Sequence, residues 1–399
     1  MTWLEELILQ HSELESPLNF WRWSAFATIS AVVKDNIWLD KAGAYKLYPN
    51  IYVMLHADSG LKKGPPISLA NRLVSSVNNT RIITGRFSIQ GALKEMGSGK
   101  TAPGGQILGT SSVFICLSEL TSSIVNDPVA TDILTDLYDR HYRIDDWKSI
   151  LKMESFTLKD PTVTMLSGTN EAHSEDFFVK KDVQGGYFAR TFIIYEKKRN
   201  RINSLMFPLE HPPDHKKLIP YLTELSKLKG EFKMDHDTRT IFHNWYHDFS
   251  AMRDEQKIKD STGTLNRFDD SVLKVAMLIS LGTSPELIIT KLAVEEAIEE
   301  CKKLVGNVRK TTMGRGTSSL AIQKGLILKD LIDRENHMIS RRQLHKQYYL
   351  HANSSDWDEI MLQLEAGGHI VIENQGNVVV YRMPDGAVDE WKNHLEGKN

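Results

Sequence analysis

Over the first 35 residues apolar side chains recur at helical spacing: Trp3, Leu4, Leu7 and Ile8, then Phe20, Trp23, Phe26, Ile29 and Val32. Pro17 falls between the two sets and predicts two helices rather than one. The period then changes. Tyr48-Pro49-Asn50 leads into IYVMLHA, an apolar run of strand length, and a turn rich in Gly, Lys and Pro follows it. ISLANRLVSSV returns to helical spacing at Ile67, Leu69, Leu73, Val74 and Val77. Further short apolar runs lie at 81–85, 112–119, 162–168 and 189–196, with helical patterns at 88–96, 127–139 and 171–181 between them. Strands alternating with helices predict a three-layer α/β core. Runs without polar alternation predict parallel strands buried on both faces.

The second half reads differently. Residues 208–220 are proline-rich and read as a connector, followed by helical patterns at 217–230, 236–256, 267–281 and 290–309. The run TTMGRGTSS (311–319) is a hinge. Beyond it come helices at 320–334, 340–350 and 354–366, a strand at 369–373, a turn at Gln375-Gly376-Asn377 and a strand at 378–382, the order of a winged helix. The expected organisation is an N-terminal helical segment (1–45), an α/β core (46–205), a helical lid (206–312) and a winged-helix domain (318–399).

Composition narrows this only a little. The 399 residues are 41% hydrophobic and 25% charged, ordinary for a globular chain. A net charge of -2 leaves room for a local basic surface that binds phosphates. Two cysteines, Cys116 and Cys301, exclude a disulfide framework and a thiolate zinc site. The acidic opening segment has no basic n-region and no run approaches the ~20 apolar residues of a membrane span, so a cytoplasmic protein is expected.

The chemistry gathers at the ends of the apolar runs. A phosphate-binding loop needs a strand to deliver the chain, backbone N–H groups opening a helix, and a lysine for the β- and γ-phosphates. Residues Ala57 to Gly64 stand between such a strand and helix. Of the four defining positions of G-x-x-x-x-G-K-[ST] only Lys63 is kept, and Gly64 lacks the Mg²⁺-binding hydroxyl, leaving Ser59 or Ser68 as candidates. The alternative is a lysine-bearing surface turn. Gly97-Ser98-Gly99-Lys100-Thr101 is closer to the pattern by eye, but it follows a helix and opens none, so it reads as a loop facing a substrate. Ser118-Glu119 ends SVFICL with an acid able to activate water. Asn170, past the end of TVTMLSG, can orient that water or simply cap a helix. Arg190 follows a glycine turn and is either an arginine that neutralises phosphoryl charge or a salt-bridged edge residue. His243 and His247 lack the further ligands of a metal site, and no metal is expected there.

Taken in series, Ser16-Pro17 with Phe20 and Trp23, Tyr48-Pro49-Asn50, Ser59 to Pro66, Leu117-Ser118-Glu119, Asp160-Pro161, Ser167-Gly168-Thr169 and Ala189-Arg190 resemble a known family. It is a family of phage, prophage and mobile-element proteins carrying a primase-helicase-associated P-loop ATPase module of the hexameric helicase type. The resemblance covers 15–200 closely and 230–310 loosely. It implies a three-layer P-loop NTPase (RecA/AAA+-like) core that takes ATP and Mg²⁺ at Ser59, Gly60, Leu61, Lys62, Lys63 and Gly64. Catalytic roles fall on Lys63, Glu119, Asn170 and Arg190, and Arg267 matches a lid arginine that contacts the γ-phosphate. It further implies a homo-oligomeric ring acting on single-stranded or forked DNA as a replicative helicase, with any primase a separate chain. In the C-terminal unit Arg341, Arg342 and Lys346 open a basic helix that suits DNA, although winged helices also serve protein contacts. A non-motor ATPase switch, and a scaffold that no longer hydrolyses ATP, stay open as alternatives.

Overall fold

Helix α1 (Trp3–His11) starts on a capping box: the Thr2 hydroxyl accepts from the Glu5 amide, and the Glu5 carboxylate accepts from the Thr2 amide. Pro17 opens α2 (Leu18–Val33), which is buried almost all round, as a helix inside a layered core must be. Next come β1 (Ile37–Asp40), β2 (Lys46–Leu47), β3 (Tyr52–His56), α3 (Gly64–Val77), β4 (Arg81–Thr84) and α4 (Ile89–Gly97). Two short strands, β5 (Lys100–Thr101) and β6 (Ile107–Leu108), pair as a hairpin before β7 (Ser112–Leu117) and α5 (Pro128–Tyr138). A second hairpin, β8 (Trp147–Ile150) with β9 (Ser155–Leu158), precedes β10 (Thr162–Thr169) and β11 (Thr191–Tyr195). Helix α6 (Ile219–Leu225), strand β12 (Gly230–Glu231) and helices α7 (His236–Glu255), α8 (Phe268–Thr283) and α9 (Lys291–Met313) follow.

This computed structural model describes the chain except residues 78–79, 98–99, 102–106, 109–110, 121–123, 125–127, 140–146, 151–154, 171–185, 256–263, 314–318, 335, 349–353, 377, 385 and 389–399. The helix expected at 171–181 lies outside the described residues. The chain divides into two units, Met1–Arg309 and Lys310–Asn399.

In the first unit five strands form a parallel sheet in the order β11-β3-β10-β7-β4. Side chains alternate between two cores. Val53, Leu55, Phe114, Cys116, Leu166, Phe192 and Ile194 face one shared with α1, α2, α3 and α8. Tyr52, Met54, Val113, Ile115, Val163, Met165 and Ile193 face the other, with Leu93 of α4 and Leu134 of α5. Both faces are covered, which is why these strands carry no polar alternation and why the core has three layers. The segments expected as separate domains at 1–45, 46–205 and 206–312 therefore share core residues.

Sequence patterning misses the three-stranded sheet β12-β1-β2, whose β1–β12 pairing joins Ile37 to Gly230. Strands of two to four residues carry too little periodicity to be read locally. The helix expected at 217–230 is shorter: a 3₁₀ turn (His215–Leu218) leads into α6. Ala189 and Arg190 belong to a 3₁₀ turn (Phe188–Arg190), and β11 starts one residue later.

The second unit holds α10 (Ser319–Asp333), β13 (Met338–Ser340), α11 (Arg341–Tyr348), α12 (Ser354–Ala366), β14 (Val371–Gln375) and β15 (Val378–Arg382). Its three strands pair antiparallel in the order β13-β15-β14 over a core that includes Leu331, Ile339, Leu344, Trp357, Ile360 and Tyr381. The three-residue β13 was not legible in the sequence.

Candidate functional site

At the exit of β3 the chain makes a tight loop and enters α3. Gly60 (φ +88°) and Lys62 (φ +53°) both take left-handed backbone, while Leu61 between them is buried as an anchor. The Leu61 amide donates to the Asp58 carbonyl at 3.3 Å, closing the turn. From the first turn of the loop–helix junction the Lys63 ammonium curls back and donates to the Ala57 carbonyl (2.7 Å) and the Asp58 carbonyl (3.0 Å). Burial lowers the Lys63 pKa, and the carboxylates of Asp58 and Glu119 oppose that shift. Helix α3 begins Gly64-Pro65-Pro66. Proline suits a first helical turn but brings no N–H.

Register sets what stands beside this loop. Strand β10 lies between β3 and β7, with Thr169 opposite His56 and Ser167 opposite Leu117. The segments following all three strands thus emerge along one edge of the sheet, where parallel α/β sheets place their ligands. The Leu120 amide donates to the Gly168 carbonyl at 2.6 Å, so the acid-bearing turn hugs β10. A Cβ on Gly168 would come within 2.5 Å of the Ser118 carbonyl oxygen, so only glycine allows this approach. Across it the Asn170 side-chain amide donates to the Glu119 carboxylate at 3.1 Å. Ser118 and Glu119 are both exposed. Lys63, Glu119 and Asn170, far apart in sequence, thus converge at one sheet edge.

Arg190 and Arg267 do not join them. Arg190 directly precedes β11, whose first residue Thr191 registers with Tyr52 at the start of β3. The five steps from Tyr52 to Ala57, at ~3.3 Å rise each, put Arg190 roughly 17 Å away along the sheet at its opposite edge. There the Arg190 guanidinium, almost wholly buried, pairs with Asp139 at the end of α5 and donates to the Gly186 carbonyl (2.8 Å). Arg267, just ahead of α8, reaches the other oxygen of the same carboxylate at 3.0 Å. Burial pushes the Asp139 carboxyl upward, but Arg190, then Arg267 and Lys274, outweigh it and hold it below the usual range. Beside this clasp the buried Lys274 of α8 donates to both the carbonyl and the side-chain oxygen of Asn50 at 2.8 Å and sits 3.9 Å from the centre of the Tyr138 ring. Burial lowers its pKa to about 7, against the pull of Asp270 and Asp139. Within this chain Arg190 is thus a buried, salt-bridged residue at the start of β11.

In the second unit Arg342 is exposed, whereas Arg341 is paired with Asp358 of α12. The Lys346 side chain lies outside the described residues. His243 and His247 meet edge to face on the exposed side of α7, with ring centroids 4.3 Å apart. Among the described residues no group of three or more His, Cys, Asp or Glu side chains is arranged to hold a metal. Among them, too, no helix is long and apolar enough to cross a membrane.

Asp139 and Lys274 carried no signal in the sequence, because each matters only through partners remote in the chain, and Asn50 stood there only as one letter of Tyr48-Pro49-Asn50. Gly168 could be found only as one letter of Ser167-Gly168-Thr169. No family model matches the chain, and no characterised protein matches it in sequence.

Proposed function

We propose that this protein binds and hydrolyses ATP at the 57–64 loop, and works with DNA as a ring-forming motor of a replicative, helicase-like kind. The observation that carries the reading is the convergence of Lys63, Glu119 and Asn170 at the edge of the parallel sheet where β3 passes through a loop into α3. Lys63 is held by carbonyl oxygens of its own loop, acceptors that a phosphate oxygen can replace with a stronger, charge-assisted bond. Glu119 accepts a proton from the attacking water, and the Asn170 amide orients that carboxylate.

The donor set fits Mg²⁺ loosely. The phosphates and the hydroxyl of Ser59 or Ser68 would hold it, with water completing the shell and Glu119 left free to take the proton. The ion would offset charge on the phosphates. Two features favour slow turnover: Gly64 supplies no hydroxyl, and Pro65 and Pro66 supply no N–H.

In the C-terminal unit the order α10-β13-α11-α12-β14-β15 fits a winged helix. Its third helix carries four acids, Asp356, Asp358, Glu359 and Glu365, which repel phosphate. DNA contact therefore falls to α11, through Arg342 above all.

A second reading, an ATPase switch that loads or recognises rather than translocates, is favoured by one observation: both arginines expected at the phosphates are engaged by Asp139. In a ring, Arg190 reaches a neighbour's nucleotide only by leaving that carboxylate.

The test is ATP hydrolysis by the purified protein with and without single-stranded DNA, beside Lys63→Ala. Turnover stimulated by DNA and lost in the variant supports the motor. Turnover indifferent to DNA supports the switch. Absence of both turnover and ATP binding removes the reading and leaves a scaffold.

A further inference from the structure

We infer that Ser16 is a positioning residue of the phosphate loop, orienting the Lys62–Lys63 peptide so that its N–H faces a nucleotide's phosphates; this rests on the ATP-binding reading above. Ser16 is buried (2% exposed) in the short turn between α1 and α2, and its hydroxyl donates to the Lys62 carbonyl at 2.8 Å. Lys62 has φ +53°, a left-handed conformation that a side chain other than glycine adopts only when its surroundings impose it. In a planar trans peptide the C=O and N–H point in opposite directions. Drawing the Lys62 carbonyl toward Ser16 therefore turns the Lys63 N–H away from it, immediately ahead of the first turn of α3. Because Pro65 and Pro66 have no N–H, an anion at this helix start depends on the donors just before them, Lys63 and Gly64 among these.

The turn that carries Ser16 is itself anchored elsewhere, which lets it act on the loop rather than follow it. The Asn200 side chain donates to the carbonyls of Ser12 (2.6 Å) and Leu14 (3.1 Å), and the Asn200 amide to that of Glu15 (3.0 Å). Arg199 pairs with the Glu15 carboxylate at 2.8 Å, and Lys62 lies 3.9 Å from the same group. The segment after β11 thus holds residues 12–15, and Ser16 passes that restraint to the loop.

The experiment measures binding of Mg²⁺-ATP, ADP and AMP to wild type, Ser16→Ala, Ser16→Thr and Lys63→Ala, with melting temperatures recorded with and without each nucleotide. Ser16→Ala is expected to weaken ATP and ADP about five- to tenfold, the worth of one net hydrogen bond. It should lose most of the ATP-induced rise in melting temperature while AMP binding stays as in wild type; the nucleotide-free melting temperature falls only by the cost of one hydrogen bond, about 2–4 °C. Ser16→Thr restores both. Should Ser16→Ala fail to fold, Ser16→Cys fills the same space with a poor donor and is held to the same result. Wild-type affinity in Ser16→Ala, alongside loss of binding in Lys63→Ala, overturns the role of Ser16 and leaves the phosphate loop standing. Equal weakening of all three nucleotides also overturns it, since that marks a merely structural serine. A wild-type protein that binds none of the three removes the ATP-binding reading and this role with it.

Discussion

Lys63 and Gly168 illustrate how single residues set the chemistry at the sheet edge. The place of Lys63 was legible from a strand, a turn and a helix in succession, the junction at which a phosphate lysine would stand. Gly168 was not legible as a steric requirement, because its need for a missing side chain comes from Ser118, in the turn after β7. Its φ is not in the left-handed region, so the argument is contact, not conformation. Gly168→Ala must separate the turn after β7 from β10 and is expected to cost about 1–3 kcal/mol in urea unfolding. It should also lower ATP turnover more than ATP binding, since it displaces Glu119 from Asn170 and leaves Lys63 in place. Turnover and affinity falling together would contradict this division of roles.

At the scale of elements, α1 is held to the core through a chain of histidines. His11 Nδ1 lies 2.7 Å from the Leu7 carbonyl, so that nitrogen carries the proton and Nε2 accepts. His215 Nε2, 3.2 Å away, is then the donor, and its Nδ1 accepts from Arg72 of α3 at 3.3 Å. Both rings are thereby held neutral, with His11 stacked on Trp21. Burial, with His215 adding to it against the Leu7 carbonyl, pushes His11 down to about 4. Burial and Arg72, against Asp214, lower His215. Below the ordinary histidine pKa of about 6.5 the unfolded chain therefore binds protons that the folded chain refuses, and stability falls as pH drops toward 4. His11→Gln removes one of these titrations. Between pH 7 and pH 4.5 wild type is expected to lose about 2 kcal/mol more than this variant in urea unfolding. Parallel pH profiles for the two proteins would contradict the neutral relay.

Across the first unit, Asp139 joins three parts of the chain: the end of α5, the turn before β11 and the start of α8. Removing one partner of a buried ion pair leaves an uncompensated charge, so Asp139→Ala is expected to cost about 3–5 kcal/mol, measured by denaturant unfolding. If Arg190 instead serves a neighbouring copy's nucleotide, Asp139→Ala at permissive temperature should raise ATP turnover in the assembled protein. A stable variant with unchanged turnover would contradict both roles of the clasp. Lys274 adds a pH signature of its own. Its folded pKa, near 7, is far below its unfolded value of about 10.4, so over that window the unfolded chain holds the extra proton. Stability relative to Lys274→Met should therefore rise with pH from about 7 to 10.

The sequence by itself determined the alternation of strands and helices, the break at Pro17, the burial of both sheet faces and the lysine at a strand–helix junction. Each of these is written in local spacing and local backbone chemistry, which a single segment carries whole. Only the tertiary structure decided that β10 stands between β3 and β7, and hence that Glu119 and Asn170 meet beside the loop of Lys63. It alone decided that Arg190 and Arg267 meet on Asp139 at the opposite edge. Strand order and ion-pair choice are set by crossovers and long-range packing, and segments distant in sequence leave no periodic trace of the neighbours they will find.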